Sequence, residues 1–519
     1  MKKLIRFSSI LLACGVLLVS LFAFAGCVQT EDTVVLRVCS WEEYIDLGEW
    51  EDDELIEIDN PFDEEAGGVI GVNSMVDDFT EWFNQTHDFN VKVEYSTFGT
   101  NEDLYNRLSL GDVYDIACPS DYMLMKLIAE NNYVEYRDSF WNTNIEENYY
   151  AKFVTPYIDG ADGEGIFNRP EYDWHMKAAC YMWGTLGLVY NPEKLESVSD
   201  VATWKMLANE NYLKQVTIKD NVRDSYFAAL GILNSENFLS EQVSGEELSR
   251  LMNATDGETI SKAEDILKAI KEVVYSFETD SGKADMVTGK VIANEQWSGD
   301  AVYIMDEAES DEENSTELWY SVPEECTNIW FDGWIKLKNG VEWTEERHEA
   351  AEAFVNFLSR PDNAVRNMYY IGYSSAIADD VVFAYMNYNY GADEDAEETF
   401  EYDLSYFFGE GYAIQADKSN FDFDDNGEVN RGRQLFAQYP PQNVIDRSVV
   451  MLDFGDRLSD INQMWINVRC LDILDFSPVV VSVVAGIVVL AIVGILLYKF
   501  RYKLFITTHK PKTGYKEVK

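Results

Sequence analysis

Short apolar runs alternate with amphipathic segments along the chain. Residues 34–39 have the length and the side chains of a buried strand, and residues 91–95 alternate as a half-buried strand. Between them, residues 74–87 place Val76, Phe79, Trp82 and Phe83 on one helical face. The pattern predicts an α/β fold with a mostly parallel sheet and helices on its faces.

The same alternation continues downstream. It predicts further helices around Leu104 and from Asp121, and further strands and helices at 114–118, 181–190, 216–218, 260–275, 291–296, 329–337 and 345–358. Between them are acidic stretches that contain glycine, at 47–71, 159–172, 307–316 and 391–430. We expect these stretches to be surface insertions. Ligands of such folds bind at the carboxyl ends of strands.

The N-terminus has the three parts of an export signal. Lys2, Lys3 and Arg6 precede an apolar run over 7–25, and small residues then lead to Cys27. Residues 1–27 are therefore predicted to be a signal peptide with a lipobox, in which Cys27 is acylated. An uncleaved signal anchor is the alternative.

A second apolar run covers residues 478–498. At 1.5 Å per residue it is long enough for a bilayer core of about 30 Å, so it predicts a transmembrane helix. The following residues, 499–519, are mostly basic, which predicts a cytoplasmic tail. The chain is thus expected at the cell membrane with an extracytoplasmic ectodomain, in contact with lipid through this helix and through Cys27.

Composition narrows the classes of partner. The chain has 93 acidic and 40 basic residues and a formal charge of −53, which disfavours nucleic acid and permits a cationic ligand. Motifs for nucleotide binding, serine hydrolysis and zinc proteolysis are missing from the sequence, so no cofactor, no metal and no catalysis are expected. Of the seven cysteines, Cys39, Cys118, Cys180, Cys326 and Cys470 are widely spaced, which favours buried thiols.

Abundant carboxylates and aromatic rings suit two kinds of cleft. A surface glycosidase needs two carboxylates at a fixed separation. A polyamine site needs carboxylates for the ammonium groups, and aromatic faces for the methylenes and for cation–π attraction of about 0.5 to 2 kcal/mol. Composition alone leaves both open.

Particular segments favour the polyamine site. The segments Ser40-Trp41-Glu42-Glu43-Tyr44, Pro119-Ser120-Asp121-Tyr122, Asn221-Val222-Arg223-Asp224, Trp297-Ser298-Gly299-Asp300, Trp330-Phe331-Asp332 and Ile371-Gly372-Tyr373 occur in this order. Together they resemble the spermidine/putrescine-binding proteins of ABC importers. The resemblance covers most of the chain from Val34 to Ala378. It departs at Asn221, where the family often has an acid, and at Asp224, where a Glu is common.

The resemblance implies a periplasmic-binding-protein-like α/β fold (type II) with two lobes that close over the ligand. One lobe would comprise 28–183 and 329–378, and the other 184–328 and 379–472. The implied ligand contacts are Trp41, Tyr44, Ser120, Tyr122, Asn221, Asp224, Trp297, Trp330, Asp332 and Tyr373. The implied partners are a polyamine and a separate ABC permease with its ATPase. A ligand-sensing receptor module is the alternative that would use the same cleft.

Overall fold

The structure is a computed structural model that describes residues 33–48, 56–58, 68–70, 72–142, 174, 176–240, 243–310, 315–424, 426–470 and 478–506. The predicted signal peptide and Cys27 lie outside these residues, as does the basic tail from residue 507. The chain divides into two compact units, one up to Leu458 and one from Ser459 onward.

The described strands all belong to the first unit. They are β1 (Thr33–Trp41), β2 (Ile56–Ile58), β3 (Gly68–Ile70), β4 (Asn90–Phe98), β5 (Ile116–Ala117), β6 (Ala178–Tyr190), β7 (Val216–Lys219), β8 (Ser276–Glu278), β9 (Ala293–Trp297), β10 (Trp319–Ser321), β11 (Thr327–Lys336), β12 (Ser374–Ser375), β13 (Thr399–Asp403), β14 (Ala413–Asp417), β15 (Phe421–Phe423), β16 (Val429–Gly432) and β17 (Ser448–Val449).

The helices alternate with these strands. They are α1 (Met75–Thr86), α2 (Asn101–Leu110), α3 (Asp121–Ala129), α4 (Asp138–Asn142), α5 (Val222–Ser240), α6 (Gly245–Met252), α7 (Gly257–Val273), α8 (Ser281–Val287), α9 (Ser298–Ser310), α10 (Glu345–Leu358), α11 (Pro361–Ile371), α12 (Asp380–Tyr390), α13 (Ser405–Phe408), α14 (Gln434–Gln438), α15 (Gln442–Ile445), α16 (Leu458–Arg469) and α17 (Pro478–Ile506).

Local sequence signals account for many of these elements. Helix α1 begins after Ser74, whose side chain accepts a hydrogen bond from the backbone N–H of Asp77 at 3.1 Å. Its Phe79 and Phe83 are buried, and the Phe79 ring packs edge-on against Phe354 of α10 at 5.0 Å. The predictions of strand β1 and of helices α1 and α10 are confirmed.

The main sheet is mixed rather than mostly parallel. Strand β1 pairs in parallel with β4 and β5, but the long strand β11 runs antiparallel to both β5 and β6. Strands β9 and β10 are also antiparallel to β6, while β7 is parallel to β8 and β9. The prediction of a mostly parallel sheet is therefore wrong, because β6 and β11 form a central antiparallel pair.

Strand β6 belongs to two groups of strands. Its residues up to Thr185 pair with β11, whereas residues from Leu186 onward pair with β9 and β10. All thirteen of its residues are buried. One continuous strand thus connects the β1–β4–β5–β11 group to the β7–β8–β9–β10 group. The lobe boundaries stay a prediction.

The acidic stretch over 391–430 is folded rather than a simple surface insertion. Strands β13 and β14 form a hairpin, and Tyr402, Phe407 and Ile414 are buried. The Phe407 ring stacks on Trp183 of β6 with centroids 5.4 Å apart. The prediction of a surface insertion is wrong here because aromatic side chains among the acidic residues join the core.

Two helices, α16 and α17, are described in the second unit. In α16, Ile461, Met464 and Val468 are buried, at a spacing that places them on one helical face. Helix α17 forms over the predicted apolar run. Taking only the residues that the structure describes in full, no helix is both long and apolar enough to cross a membrane. The structure therefore supports a helix over 478–498 but not the predicted membrane span.

The cysteines differ in exposure. Cys39, Cys118, Cys180 and Cys326 are buried, but Cys470 is exposed, so the expectation of buried thiols is wrong for Cys470. Burial raises the pKa of the Cys118 and Cys326 thiols well above the ordinary value, which disfavours their reactive thiolate form.

Replacing Phe407 by Ala tests whether the acidic stretch belongs to the core. The truncation should lower the free energy of unfolding by about 3 kcal/mol or more, because it leaves a cavity against Trp183. Tyr388→Ala is the matched control, since Tyr388 is 87% exposed and its loss should change stability by less than about 0.5 kcal/mol. Chemical denaturation measures both, and equal effects would contradict the assignment.

Candidate functional site

One cavity of about 480 Å³ lies in the first unit. Several of the residues that line it lie at or just after the carboxyl ends of strands: Trp41 ends β1, Ser120 follows β5, Asn221 follows β7 and Trp297 ends β9. This is where ligands bind in open α/β sheets. All ten predicted contacts line it: Trp41, Tyr44, Ser120, Tyr122, Asn221, Asp224, Trp297, Trp330, Asp332 and Tyr373.

Asp332 lies in the middle of β11 and is 5% exposed. The Tyr44 hydroxyl donates a hydrogen bond to Oδ2 of Asp332 at 2.7 Å. The other oxygen, Oδ1, makes no well-formed hydrogen bond within the described residues, although the Ser120 side chain lies close enough to the carboxyl to lower its pKa. Burial raises the pKa of this carboxyl to about 6, against the opposing effect of Tyr44 and Ser120. Asp332 is thus ready to accept a further donor.

Aromatic rings surround this carboxylate. The Tyr373 ring lies edge-on to Tyr44 and to Trp330, each with centroids 5.4 Å apart. Two glycines leave the space that these rings need. A Cβ on Gly299 would lie 2.1 Å from the Tyr373 ring, and one on Gly184 would lie 2.6 Å from the Trp330 ring. The aromatic wall therefore depends on backbone positions without side chains.

Asp224 forms a second carboxylate centre in the first turn of α5. Its Oδ2 accepts hydrogen bonds from Nδ2 of Asn221 at 2.5 Å and from Nε1 of Trp297 at 3.1 Å. The Asp224 backbone N–H donates to Oδ1 of Asn221 at 2.8 Å. Burial raises the pKa of Asp224, while Asn221, Lys219 and Trp297 lower it. Asn221 therefore orients Asp224 and adds no charge of its own.

Tyr122 is held between polar groups and a cation. Asn101 donates to the hydroxyl groups of Tyr122 and Ser120 at 2.9 and 3.2 Å. The Tyr122 hydroxyl donates to Glu102 at 3.3 Å. The Arg223 guanidinium lies 3.6 Å from the centre of the Tyr122 ring, so one face of this ring is already covered by a cation of the chain.

A third buried carboxylate, Asp300, already has ammonium groups beside it. Nζ of Lys283 lies 3.3 Å from Oδ1 of Asp300, and Nζ of Lys219 lies 3.9 Å from Oδ2. The Lys219 ammonium also lies 4.1 Å from the centre of the Trp297 ring. Asp300 is thus neutralised by the chain itself.

Trp41 completes the wall beside β1. Its ring packs against Phe98 with centroids 4.7 Å apart. The indole N–H groups of Trp41 and Trp330 are buried, and neither makes a hydrogen bond within the described part of the chain. Each ring therefore has apolar faces and an indole N–H that makes no hydrogen bond within the described residues.

Several lining residues were missed by the sequence interpretation. Asp121, Arg223 and Asp300 fall inside the segments that carry the resemblance, so a signal for them was present. Lys283 is in none of these segments, and only the packing of α8 places it here. Burial raises the pKa of Asp121 to about 8, so this carboxyl is mostly protonated at neutral pH.

A mixed α/β fold with a ligand-sized cavity at its strand ends provides a site for a small solute. The family model described as "Bacterial extracellular solute-binding protein" matches residues 74–382, which is more than half of the chain. The chain belongs to this family of bacterial extracellular solute-binding proteins.

The sequence identity to individual curated relatives is low. The chain is 25% identical over 352 residues to the "Putrescine-binding periplasmic protein SpuD" of Pseudomonas aeruginosa, covering 65% of this chain and 77% of the relative. It is 24% identical over 290 residues to the "Spermidine/putrescine-binding periplasmic protein" of Salmonella typhimurium, covering 56% and 71%.

Solved structures support the fold. The "Putative spermidine/putrescine ABC transporter from Listeria monocytogenes" superposes with a TM-score of 0.52 at 20% identity, over 84% of this chain and 98% of the other. The Tp0655 (TpPotD) lipoprotein of Treponema pallidum gives 0.54 at 16% identity, over 84% and 99%. The predicted periplasmic-binding-protein-like α/β fold is confirmed.

Replacing Asp332 by Asn should stabilise the ligand-free protein. Because the folded-state pKa of about 6 lies above the ordinary value of 3.8, ionisation of Asp332 costs folding free energy. The cost is absent below pH 3.8, grows up to pH 6 and then stays constant at about 3 kcal/mol. The variant should therefore unfold at a higher denaturant concentration at pH 8, with the difference vanishing near pH 4. If Asp332→Asn were less stable than the wild-type chain at pH 8, the conclusion that the buried charge of Asp332 costs folding free energy would be contradicted.

Proposed function

We propose that this chain is the extracytoplasmic substrate-binding component of an ABC importer and that it captures a polyamine, spermidine or putrescine. The observation that carries the proposal is the convergence of buried Asp332 and Asp224 with Trp and Tyr rings in one cavity. The names of the curated relatives point to the same class of ligand.

The two carboxylate centres suit ammonium groups. An ammonium ion has three donors and no acceptor, and Asp332 has an oxygen without a well-formed hydrogen bond among the described residues. A positive charge beside Asp332 would also offset the cost of its burial. At the other centre, Asp224 is fixed by Asn221 and Trp297, so an amine would meet an oriented carboxylate.

The aromatic rings suit the methylene spacers. The spacers of a polyamine are apolar, and they gain from burial against the faces of Trp41, Trp330 and Trp297. Charged groups next to these spacers gain cation–π attraction from the same rings. A neutral or anionic solute would leave the buried carboxylates without a counter-ion, which is costly. The cavity therefore favours an alkyl polycation.

Ligand capture is proposed to involve closure of two lobes. Trp41, Tyr44, Ser120, Tyr122, Trp330, Asp332 and Tyr373 would come from one lobe, and Asn221, Asp224 and Trp297 from the other. The closed form would then be recognised by the permease, which is a separate chain together with its ATPase. The chain itself would catalyse no reaction, and no observation favours the glycosidase over binding.

Isothermal titration of the purified full-length chain tests the ligand. Putrescine or spermidine should bind, whereas 1,4-butanediol, which has the putrescine spacer without the charges, should not. Asp332→Asn should weaken amine binding by about 30-fold or more, because one buried charge partner is lost. The variant keeps an acceptor for the Tyr44 hydroxyl, so a loss of affinity would be due to the missing charge rather than to a change in the shape of the side chain. Binding of another solute in place of both amines would refute the proposal.

Amine binding should also weaken in acid. The ammonium groups pair with the ionised form of Asp332, whose pKa is about 6 without ligand. Protonation of this single group lowers the affinity by about tenfold at pH 5 relative to pH 8, and Asp224, whose pKa is also raised, adds to the effect. Titrations at constant ionic strength measure this. An affinity that is unchanged between pH 8 and pH 5 would exclude Asp332 as the ammonium partner.

A further inference from the structure

The buried carboxylates of the cavity differ in whether the chain supplies their counter-charge. Asp121, Asp224, Asp300 and Asp332 are all buried and line the cavity. Both oxygens of Asp121 already accept hydrogen bonds from backbone N–H groups, those of Tyr122 at 2.6 Å and Phe331 at 3.4 Å, and burial raises its pKa to about 8. Three buried charge centres therefore remain among the residues that line the cavity, at Asp224, Asp300 and Asp332.

Only one of these three centres forms an ion pair within 4 Å among the described residues. Lys283 lies 3.3 Å from Asp300, with Lys219 at 3.9 Å on its other side. The centres at Asp224 and Asp332 are hydrogen-bonded instead by neutral groups, from Asn221, Trp297 and Tyr44. Two positions are therefore open to ammonium groups of a ligand.

Lys283 differs from Lys219 in its accessibility. The Lys219 side chain is fully buried, and its Nζ donates to the backbone carbonyl of Thr279 at 2.9 Å, so it belongs to the framework. The Lys283 side chain is 21% exposed and lines the cavity itself. Its ammonium lies 5.6 Å from the centre of the Tyr303 ring. Lys283 thus has an acidic and aromatic environment of the kind that a ligand amine would have.

The Lys283 ammonium remains charged at neutral pH. Burial lowers its pKa, but Asp300, Asp280 and Glu43 together raise it above the ordinary value. Glu43 and Asp280 also line the cavity and are exposed to solvent. A ligand ammonium that approached Asp300 would therefore meet a fixed like charge.

We propose that Lys283 is a specificity-determining residue, a built-in ammonium that fills the third cation position of the cavity. The cavity then accepts a diamine at Asp224 and Asp332 and disfavours a triamine, whose additional ammonium would have to displace Lys283 from Asp300. This inference rests on the proposed polyamine function and deepens it, because it defines how many charges the ligand carries.

The test compares putrescine with spermidine on the full-length chain. The wild-type chain should bind putrescine more tightly. In Lys283→Met, which keeps the length of the side chain and removes its charge, spermidine should gain about tenfold or more relative to putrescine, since the like-charge repulsion is lost. The measured quantity is the ratio of the two Kd values by titration.

Lys290→Met is the matched control. Lys290 pairs with Asp285 at 2.8 Å, as Lys283 pairs with Asp300, but it does not line the cavity. Its replacement should leave the ratio of Kd values unchanged. In Lys283→Met/Asp300→Asn the spermidine gain should disappear, because the vacated carboxylate is also removed. A purely structural role of Lys283 would not produce this dependence on Asp300.

The outcomes separate the two proposals. A wild-type chain that binds neither amine contradicts the proposed function. A wild-type chain that binds putrescine but prefers spermidine overturns the role of Lys283 alone, as does a ratio that Lys283→Met leaves unchanged. Retained putrescine binding would show that the Lys283→Met variant is folded. If this variant does not fold, the preference of the wild-type chain for putrescine or spermidine still decides the question.

Discussion

A carboxylate that is buried among aromatic rings destabilises a fold unless other groups compensate its charge. In this cavity the compensation differs at each position. Tyr44 donates to Asp332, Asn221 and Trp297 donate to Asp224, and Lys283 neutralises Asp300. Neutral donors stabilise a carboxylate less than a cation does. Asp332 and Asp224 are therefore compensated less than Asp300, although Lys219 and Arg223 lower the pKa of Asp224 from beyond ion-pair distance. A cation bound beside either carboxylate would add to this compensation.

The framework has to hold these centres against that cost. Strand β6 is buried along its whole length and pairs with β11 on one side and with β9 and β10 farther along. Asp332 belongs to β11, and β9 ends at Trp297, which donates a hydrogen bond to Asp224 of α5. Each centre is therefore in contact with a strand that neighbours β6. Gly184 of β6 leaves room for the Trp330 ring. Strands β9 and β11, together with the first turn of α5, thus keep the carboxylates and rings in place before a ligand arrives.

The predictions from sequence succeeded where the signal was local. Periodicity and capping define α1 and α10. All ten resemblance-derived residues line one cavity, and their role as ligand contacts stays a prediction. The failures involve contacts between distant segments. The acidic composition of 391–430 concealed Phe407, which packs on Trp183, and no local pattern revealed that α8 would bring Lys283 to Asp300. Strand direction also depends on long-range pairing, which explains why the antiparallel pairing of β11 with β6 was missed.

Charge acts at two different ranges in this chain. The formal charge of −53 draws any cation toward the surface, but exposed charges farther apart than about 8 Å are largely screened at physiological salt. The surface acids thus favour encounter without distinguishing one cation from another. Buried charges are screened much less, so a single ammonium at Asp300 alters the electrostatics of the cavity more than several surface acids do. For the proposed polyamine ligand, selection among cations would therefore depend on which buried carboxylates the chain has already paired, and the total charge would have little part in it.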